Sequence, residues 1–131
     1  MKISVIIVSY NCKAFLDYCL QSVTKALRQI DSEILVIDNC STDGSVEYLK
    51  SKTYDIRIVE NKKNLGLTKS LNILLNESRG EYIARQDSDD MSLSSRFSKQ
   101  LAYIKRKNLD ICGTRALIKG STRVTPNKSY Y

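Results

Sequence analysis

The sequence has no histidine and no tryptophan, one proline and five glycines in 131 residues. Its four cysteines, Cys12, Cys19, Cys40 and Cys112, show no C-x-x-C spacing. Without histidine or paired cysteines a zinc centre is disfavoured. The thiols read as free groups in a reducing compartment, not as a disulfide framework. The scarcity of proline and glycine excludes a collagen-like fibre and a low-complexity linker. The apolar run Val5-Ile6-Ile7-Val8, which no other run exceeds, is far short of the roughly 20 residues of a membrane-spanning helix. A secretory leader, with its longer apolar stretch and small-residue cleavage site, is not discernible either. The expected location is therefore cytoplasmic. No G-x-G-x-x-G follows the first apolar run, which disfavours a dinucleotide fingerprint. A P-loop and a G-x-S-x-G nucleophile elbow are absent as well.

What is present is an ordinary globular composition, 42% hydrophobic and 27% charged, at the length of one domain. The formal net charge of +7 is unevenly placed. Residues 96–131 carry nine basic side chains (among them Arg96, Lys99, Lys105, Arg106 and Lys107) against one acidic, Asp110. Such a field suits a polyanion: a phosphate-bearing ligand, an anionic membrane surface or nucleic acid. A solvated basic helix face with a polar tail explains the same charges. Only Tyr103, Tyr130 and Tyr131 in this segment could stack on bases. No specific nucleic-acid partner is expected.

Apolar patterning alternates between two periods. Residues 3–9, 33–38, 56–60, 82–86 and 111–118 read as strands, the first two as buried β-branched runs. Phe15, Leu16, Cys19, Leu20, Val23 and Leu27 form a helical stripe. A second helix opens at Asp43-Gly44, with Thr42 or Asp43 as its N-cap. A third covers about 67–78, with Leu71, Leu74 and Leu75 inward and Gly80 as a left-handed C-cap. A fourth covers 94–107 with Phe97, Leu101 and Ile104 inward. Strands alternating with helices predict an α/β fold: a mostly parallel sheet with helices on both faces. Residues 1–118 form the expected domain, and 119–131 an irregular polar basic tail.

Ligands of such sheets bind outside the carboxyl ends of the strands. The ends here are Ser9-Tyr10-Asn11, Asp38-Asn39, Asn61 to Asn64, and Asp87-Ser88-Asp89-Asp90. Three carboxylates in four residues repel one another. A hard divalent cation relieves that conflict, and Mg²⁺ or Mn²⁺ accepts an all-oxygen set completed by substrate phosphates. An acidic N-cap for the following helix is the plainer alternative. Asp38 and Asn39 could read the edge of a base or simply form an Asx-turn at the strand exit.

These segments together resemble the family 2 glycosyltransferases of the Rossmann-like GT-A fold. The opening strand is Ile3-Ser-Val-Ile-Ile-Val-Ser-Tyr-Asn11. The second strand and its turn are Glu33-Ile-Leu-Val-Ile-Asp-Asn-Cys-Ser-Thr-Asp-Gly-Ser45. An N-x-G segment follows at Asn64-Leu-Gly-Leu-Thr-Lys-Ser-Leu-Asn72. The D-x-D strand is Gly80-Glu-Tyr-Ile-Ala-Arg-Gln-Asp-Ser-Asp-Asp90, with Arg96-Phe97 and Gln100 behind it. The resemblance covers about residues 3–118. It implies transfer of a sugar from a UDP- or dTDP-sugar to a hydroxyl of a glycan or lipid-linked acceptor, with inversion, in polysaccharide synthesis. Ser9, Tyr10 and Asn11 would line the nucleoside pocket. Asp38 would meet the base or ribose, and Asn39 stands where the family often has a second Asp. Asn64 and Ser88 would complete the donor site. Asp87 would face the ribose and the metal, and Asp89 would hold Mn²⁺ or Mg²⁺ against the diphosphate. Lys69, Arg85 and Arg96 are candidate neighbours of that diphosphate.

The resemblance also implies a general base in an acceptor half. After Asp90 the only acidic side chain is Asp110. The fold is accordingly expected to stop after its fifth strand, leaving an exposed sheet edge prone to self-association. Two readings follow: the donor half of a transferase, peripheral at the inner face of a membrane through its basic segment, or a catalytically incomplete remnant acting as an interaction module.

Overall fold

The structure is a computed structural model that describes residues 1–122 and the backbone of 124 and 125. Two compact units divide the chain, one of residues 1–96 and one from Phe97 onward.

The first unit is a four-stranded sheet with helices between its strands. Its elements are β1 (Ile3–Ser9), α1 (Lys13–Ala26), β2 (Ser32–Asp38), α2 (Ser45–Ser51), β3 (Arg57–Glu60), α3 (Leu67–Glu77) and β4 (Tyr82–Asp87). The strand order is β3-β2-β1-β4, and every pairing is parallel. The apolar runs make this possible, because a parallel sheet is covered on both faces. Ile6 pairs with Leu35 and Val8 with Ile37, so these four share one face. Leu74 of α3 joins Ile6, Leu35 and Ile37 in a buried cluster, with Leu71 and Ile73 packed against it. The alternate positions Val5, Ile7 and Val36 are fully buried on the opposite face. Right-handed crossovers put α1 and α2 there, since both step from β1 toward β3 while α3 steps back. Leu16, Leu20 and Val23 of α1 and Leu49 of α2 are buried accordingly.

That reversal of direction makes the gap between the carboxyl ends of β1 and β4 the switch point of the sheet. It is the place where Ser9 to Asn11 and Asp87 to Asp90 emerge.

Several local expectations are corrected. Phe15 and Leu75 are exposed, not inward. Each sits at the margin of its helical stripe, one residue from the central Leu16 or Leu74, and on α3 it is the opposite margin, with Ile73, that packs against the cluster. The cap of α2 is Gly44 at φ 84°, neither Thr42 nor Asp43. Asp43 instead accepts the Ser45 N–H (3.0 Å) and hydroxyl (2.5 Å) through Oδ1, and the Lys13 N–H through Oδ2 (2.9 Å). Gly80 is not a left-handed cap, as positive φ among the described glycines is confined to Gly44, Gly66 and Gly120. It is glycine because a Cβ there would stand 2.4 Å from the Ser4 nitrogen and 2.6 Å from the Ile3 carbonyl carbon. The chain leaving α3 crosses the start of β1 that closely so that Gly80 N–H and Arg79 N–H can reach the Ser4 hydroxyl.

The second unit contains the body of α4 (Arg96–Lys107), which begins two residues later than the sequence suggests. It also contains β5 (Ala116–Leu117), paired antiparallel with β6 (Val124–Thr125). The fifth strand expected over 111–118 is thus not a member of the sheet. Gly113, Thr114 and Arg115 interrupt its apolar run, and Ile111 and Leu117 are exposed. The segment 119–131 is not wholly irregular, since it supplies β6. Its remaining positions 123 and 126–131 lie outside the described residues.

Candidate functional site

The three loops at the carboxyl ends of β1, β2 and β3 are tied to one another by side chains. Asn11, at φ 47°, donates its N–H to the Ser41 hydroxyl (2.9 Å) and accepts the Thr42 N–H on Oδ1 (2.8 Å). Asp38, only 1% exposed, accepts the Ser41 hydroxyl on Oδ1 (2.6 Å) and the Ser41 N–H on Oδ2 (2.8 Å). The carboxylate thus reaches three residues on, one more than an Asx-turn spans, and the chain bends through Cys40 at φ 69°. A residue other than glycine in the left-handed region is uncommon and held by its surroundings.

Asn39, 3% exposed, turns its carboxamide into the protein. Oδ1 accepts from Asn61 Nδ2 (3.0 Å) and from the Leu65 N–H (2.9 Å), and Nδ2 donates to Asn64 Oδ1 (2.8 Å). Asn64 Oδ1 also accepts the Gly66 N–H (2.9 Å), and Asn61 reaches the Ser70 hydroxyl (3.1 Å). Asn39 and Asn64 therefore act on each other and on the loop before α3. The Ser9 hydroxyl is buried against the Cys12 thiol at 3.2 Å. Tyr10 is half exposed at the rim, between these loops and open solvent.

At the end of β4 the chain turns back at once, with the Asp90 N–H bonded to the Asp87 carbonyl (3.1 Å). Asp87 and Asp89 are exposed and Ser88 is partly buried. Arg85 donates to Asp87 Oδ1 from Nε (3.0 Å) and Nη2 (2.8 Å). Burial and the neighbouring charges of Asp89 and Asp87 push the Asp90 carboxyl up, against a smaller opposing pull from Arg96. Beneath the turn, burial first and then Cys12 and the three carboxylates push the Cys19 thiol up to about 12. It stays protonated and bonds the Asp87 carbonyl at 3.5 Å. Arg96, a candidate diphosphate neighbour, instead bonds Gln86 Oε1 (2.6 Å), the Ser92 hydroxyl (3.0 Å) and the Arg85 carbonyl (2.9 Å). Lys69 is exposed on α3.

Among the described residues no group of three or more His, Cys, Asp or Glu side chains is gathered for a metal. The turn after β4 offers the exposed carboxylates of Asp87, Asp89 and Asp90, the last with its charge disfavoured. That set fits a hard divalent ion that takes its other ligands from water and phosphate, and does not fit an all-protein cage.

Residues 4–130 match the sequence model of Glycosyl transferase family 2. The chain belongs to that family. It is 35% identical over 122 residues to EpsE of Bacillus subtilis, a protein named as a glycosyltransferase, covering 89% of this chain and 44% of EpsE. It is 33% identical over 111 residues to the Escherichia coli enzyme WfaP, named UDP-Glc:alpha-D-GlcNAc-diphosphoundecaprenol beta-1,3-glucosyltransferase. That match covers 82% of this chain and 43% of WfaP. Residues 1–349 of S. aureus TarS, solved with UDP, superpose at a TM-score of 0.74 and 27% identity. The overlap takes in 82% of this chain and 33% of the TarS chain. The fold is thus the GT-A fold of the family, and the chain spans under half the length of these relatives.

Sequence reasoning missed Gln86, Ser92 and Ser41, whose hydrogen bonds hold the turns after β2 and β4. Gln86 did carry a signal, being a long polar residue in register with the inward Tyr82 and Ala84 of β4.

Proposed function

We propose that this chain is the donor-binding part of a glycosyltransferase. It would take a UDP- or dTDP-sugar and deliver the sugar to a hydroxyl of a glycan or lipid-linked acceptor, with inversion. The observation that carries the reading is the turn with the exposed Asp87 and Asp89 at the switch point, beside Ser9, Tyr10 and Asn11 at the end of the neighbouring strand β1. The resemblance of the chain to TarS, which was solved with UDP and with UDP-GlcNAc, supports a uridine donor.

In this reading the nucleoside lies over the loops that Asn11, Asp38 and Ser41 fix, with Tyr10 as its apolar wall. Asn39 and Asn64 hold the loop before α3 as the far wall. Asp87 and Asp89 would hold Mn²⁺ or Mg²⁺, which when bound neutralises charge developing on the leaving diphosphate. Arg85 competes for Asp87 Oδ1 in that arrangement. The guanidinium is half exposed, so its displacement breaks only a solvent-screened pair. Calorimetric titration of UDP with and without Mn²⁺ tests the reading. Saturable binding that requires the ion is expected. Absence of binding in both conditions would favour the interaction-module alternative.

We also propose an anionic membrane surface as a partner of α4. Lys99, Tyr103 and Arg106 line one groove of about 520 Å³, with the Arg106 guanidinium 5.7 Å above the Tyr103 ring. Lys105, Arg106 and Lys107 fill the last turn. No helix among the described residues is long and apolar enough to cross a membrane. Co-sedimentation with phosphatidylserine vesicles should be strong at low salt and fall steeply with added salt. Binding that ignores salt, or no binding, would count against it.

A further inference from the structure

The carboxylate-bearing turn after β4 is irregular, yet its backbone has a definite anchor. Gln86 is the last inward residue of β4 and is 3% exposed. Its Nε2 donates to the Asp87 carbonyl (3.0 Å). Its Oε1 accepts the Ser92 hydroxyl (2.7 Å) and Arg96 Nη1 (2.6 Å). One carboxamide therefore grips both ends of the turn formed by residues 87–92. The Asp87 carbonyl also collects the Asp90 N–H and the Cys19 thiol, and the Ser92 N–H is held by the Ser22 hydroxyl of α1 (2.9 Å). Arg96 closes the ring by bonding the Arg85 carbonyl on the preceding residue of β4. No buried side-chain polar atom among the described residues lacks a partner. A satisfied buried network of this kind rigidifies what it touches.

We infer that Gln86 is a positioning residue for the donor site: through Ser92 and Arg96 it fixes the spacing and direction of Asp87 and Asp89, without touching the ligand itself. The inference rests on the donor-site reading above. Groups that orient metal-binding side chains from behind typically change affinity about 10–100-fold when removed. An apolar residue of similar length keeps the volume and deletes the grip. Glutamate keeps the acceptor for Ser92 and Arg96 but turns a second acceptor oxygen toward the Asp87 carbonyl, so it holds one end of the turn and repels the other.

The test compares the parent chain with Gln86→Met, Gln86→Glu and Ser92→Ala by amide hydrogen exchange and by titration of UDP in Mn²⁺. For Gln86→Met, amides of residues 87–92 should exchange at least about tenfold faster while those of β1 and β2 keep their protection. Its Mn²⁺-dependent UDP affinity should fall about tenfold. Gln86→Glu, which keeps only the Ser92 and Arg96 end, should recover the protection of the Ser92 amide but not that of the Asp90 amide, and Ser92→Ala should show a smaller change of the same sign. Parent-like exchange in the turn of Gln86→Met would overturn the proposal. So would loss of protection spread equally over β1 and β2 in all three variants, which would make Gln86 a general packing residue. If the parent binds no UDP, the donor reading fails, and the exchange experiment still decides whether Gln86 holds the turn.

Discussion

Glu33→Ala is expected to destabilise the protein by about 3 kcal/mol, read from the urea midpoint at neutral pH. Removing one partner of a buried ion pair costs about 3–5 kcal/mol, because the groups left behind are desolvated and unpaired. Glu33 lies at the amino end of β2 with its side chain 8% exposed. Oε1 accepts the Ser4 hydroxyl (2.6 Å) and the Arg79 N–H (2.7 Å), and Oε2 accepts Arg57 Nη1 (3.0 Å). Arg57 is 35% exposed and keeps a second carboxylate, Glu77, at 2.8 Å. That retained solvation and pairing place the loss at the low end of the range. The same carboxylate holds the chain leaving α3 against β1, where Gly80 permits the close approach. The damage should therefore appear as fraying between α3 and β4 as well as in the midpoint.

The pH dependence has a definite sign. Burial is the largest single influence on Glu33 and raises its pKa. The hydrogen bonds from Ser4, Arg79 and Arg57, with the Arg57 charge, outweigh it and hold the carboxyl below its ordinary value of 4.5. A carboxyl lower in the folded state than in the unfolded state contributes stability that is complete above the unfolded value. That contribution is lost as the pH falls through the folded one. Asp17 and Asp43 are lowered as well, Asp17 by the Tyr48 and Tyr54 hydroxyls, so acid weakens the parent through several groups at once. The difference between the parent and Glu33→Gln isolates one of them. Plotted from pH 7 down to 3, the gap should narrow below about 4.5. A constant gap would mean that Glu33 does not titrate against the fold.

The architecture was legible because its determinants are local in sequence. The β-branched runs at 3–9 and 33–38 can be buried on both faces only in a parallel sheet, and the intervening stripes can only cover it. The four motif segments then placed the site at the strand ends. What escaped detection depends on what stands opposite in space. Gly80 looks like a helix cap until the backbone of Ile3 and Ser4 is seen lying against it. Asn39 looks like a base reader until Asn61, Asn64 and the Leu65 N–H are found to use its carboxamide. Arg96 looks like a phosphate neighbour by charge, and its bonds to Gln86 and Ser92 could not be read from the sequence. The β5 segment has the composition of a strand, but pairing needs a partner in register, and the one it finds is β6 and not the main sheet.

Asp89→Asn and Asp87→Asn should each abolish the metal dependence of UDP binding, weakening it about 100-fold or more in Mn²⁺. The figure is set from below: loss of a group that merely orients a ligand costs about 10–100-fold, and loss of the ligand itself costs more. Both side chains are exposed, so stability should move by no more than about 0.5 kcal/mol in either variant. Folding and binding thus separate cleanly. Asp90→Asn discriminates the metal reading from a general acidic patch. Asp90 sits at the same distance in sequence from Asp89 as Ser88 does, but burial and its two acidic neighbours already disfavour its charge. If the turn acts only as a negative field, removing any one of the three carboxylates should have a similar effect, scaled by how much charge each carries. If Asp87 and Asp89 act as ligands, Asp90→Asn should bind UDP and Mn²⁺ like the parent, while the other two fail. Asp87 differs from Asp89 in one further respect, since Arg85 already occupies its Oδ1. Arg85→Ala removes that competitor, so Mn²⁺ alone, without nucleotide, should bind Arg85→Ala more tightly than the parent by a few fold, the scale of an exposed ion pair. Unchanged Mn²⁺ binding in Arg85→Ala would mean that the exposed Arg85 pair does not compete for Asp87.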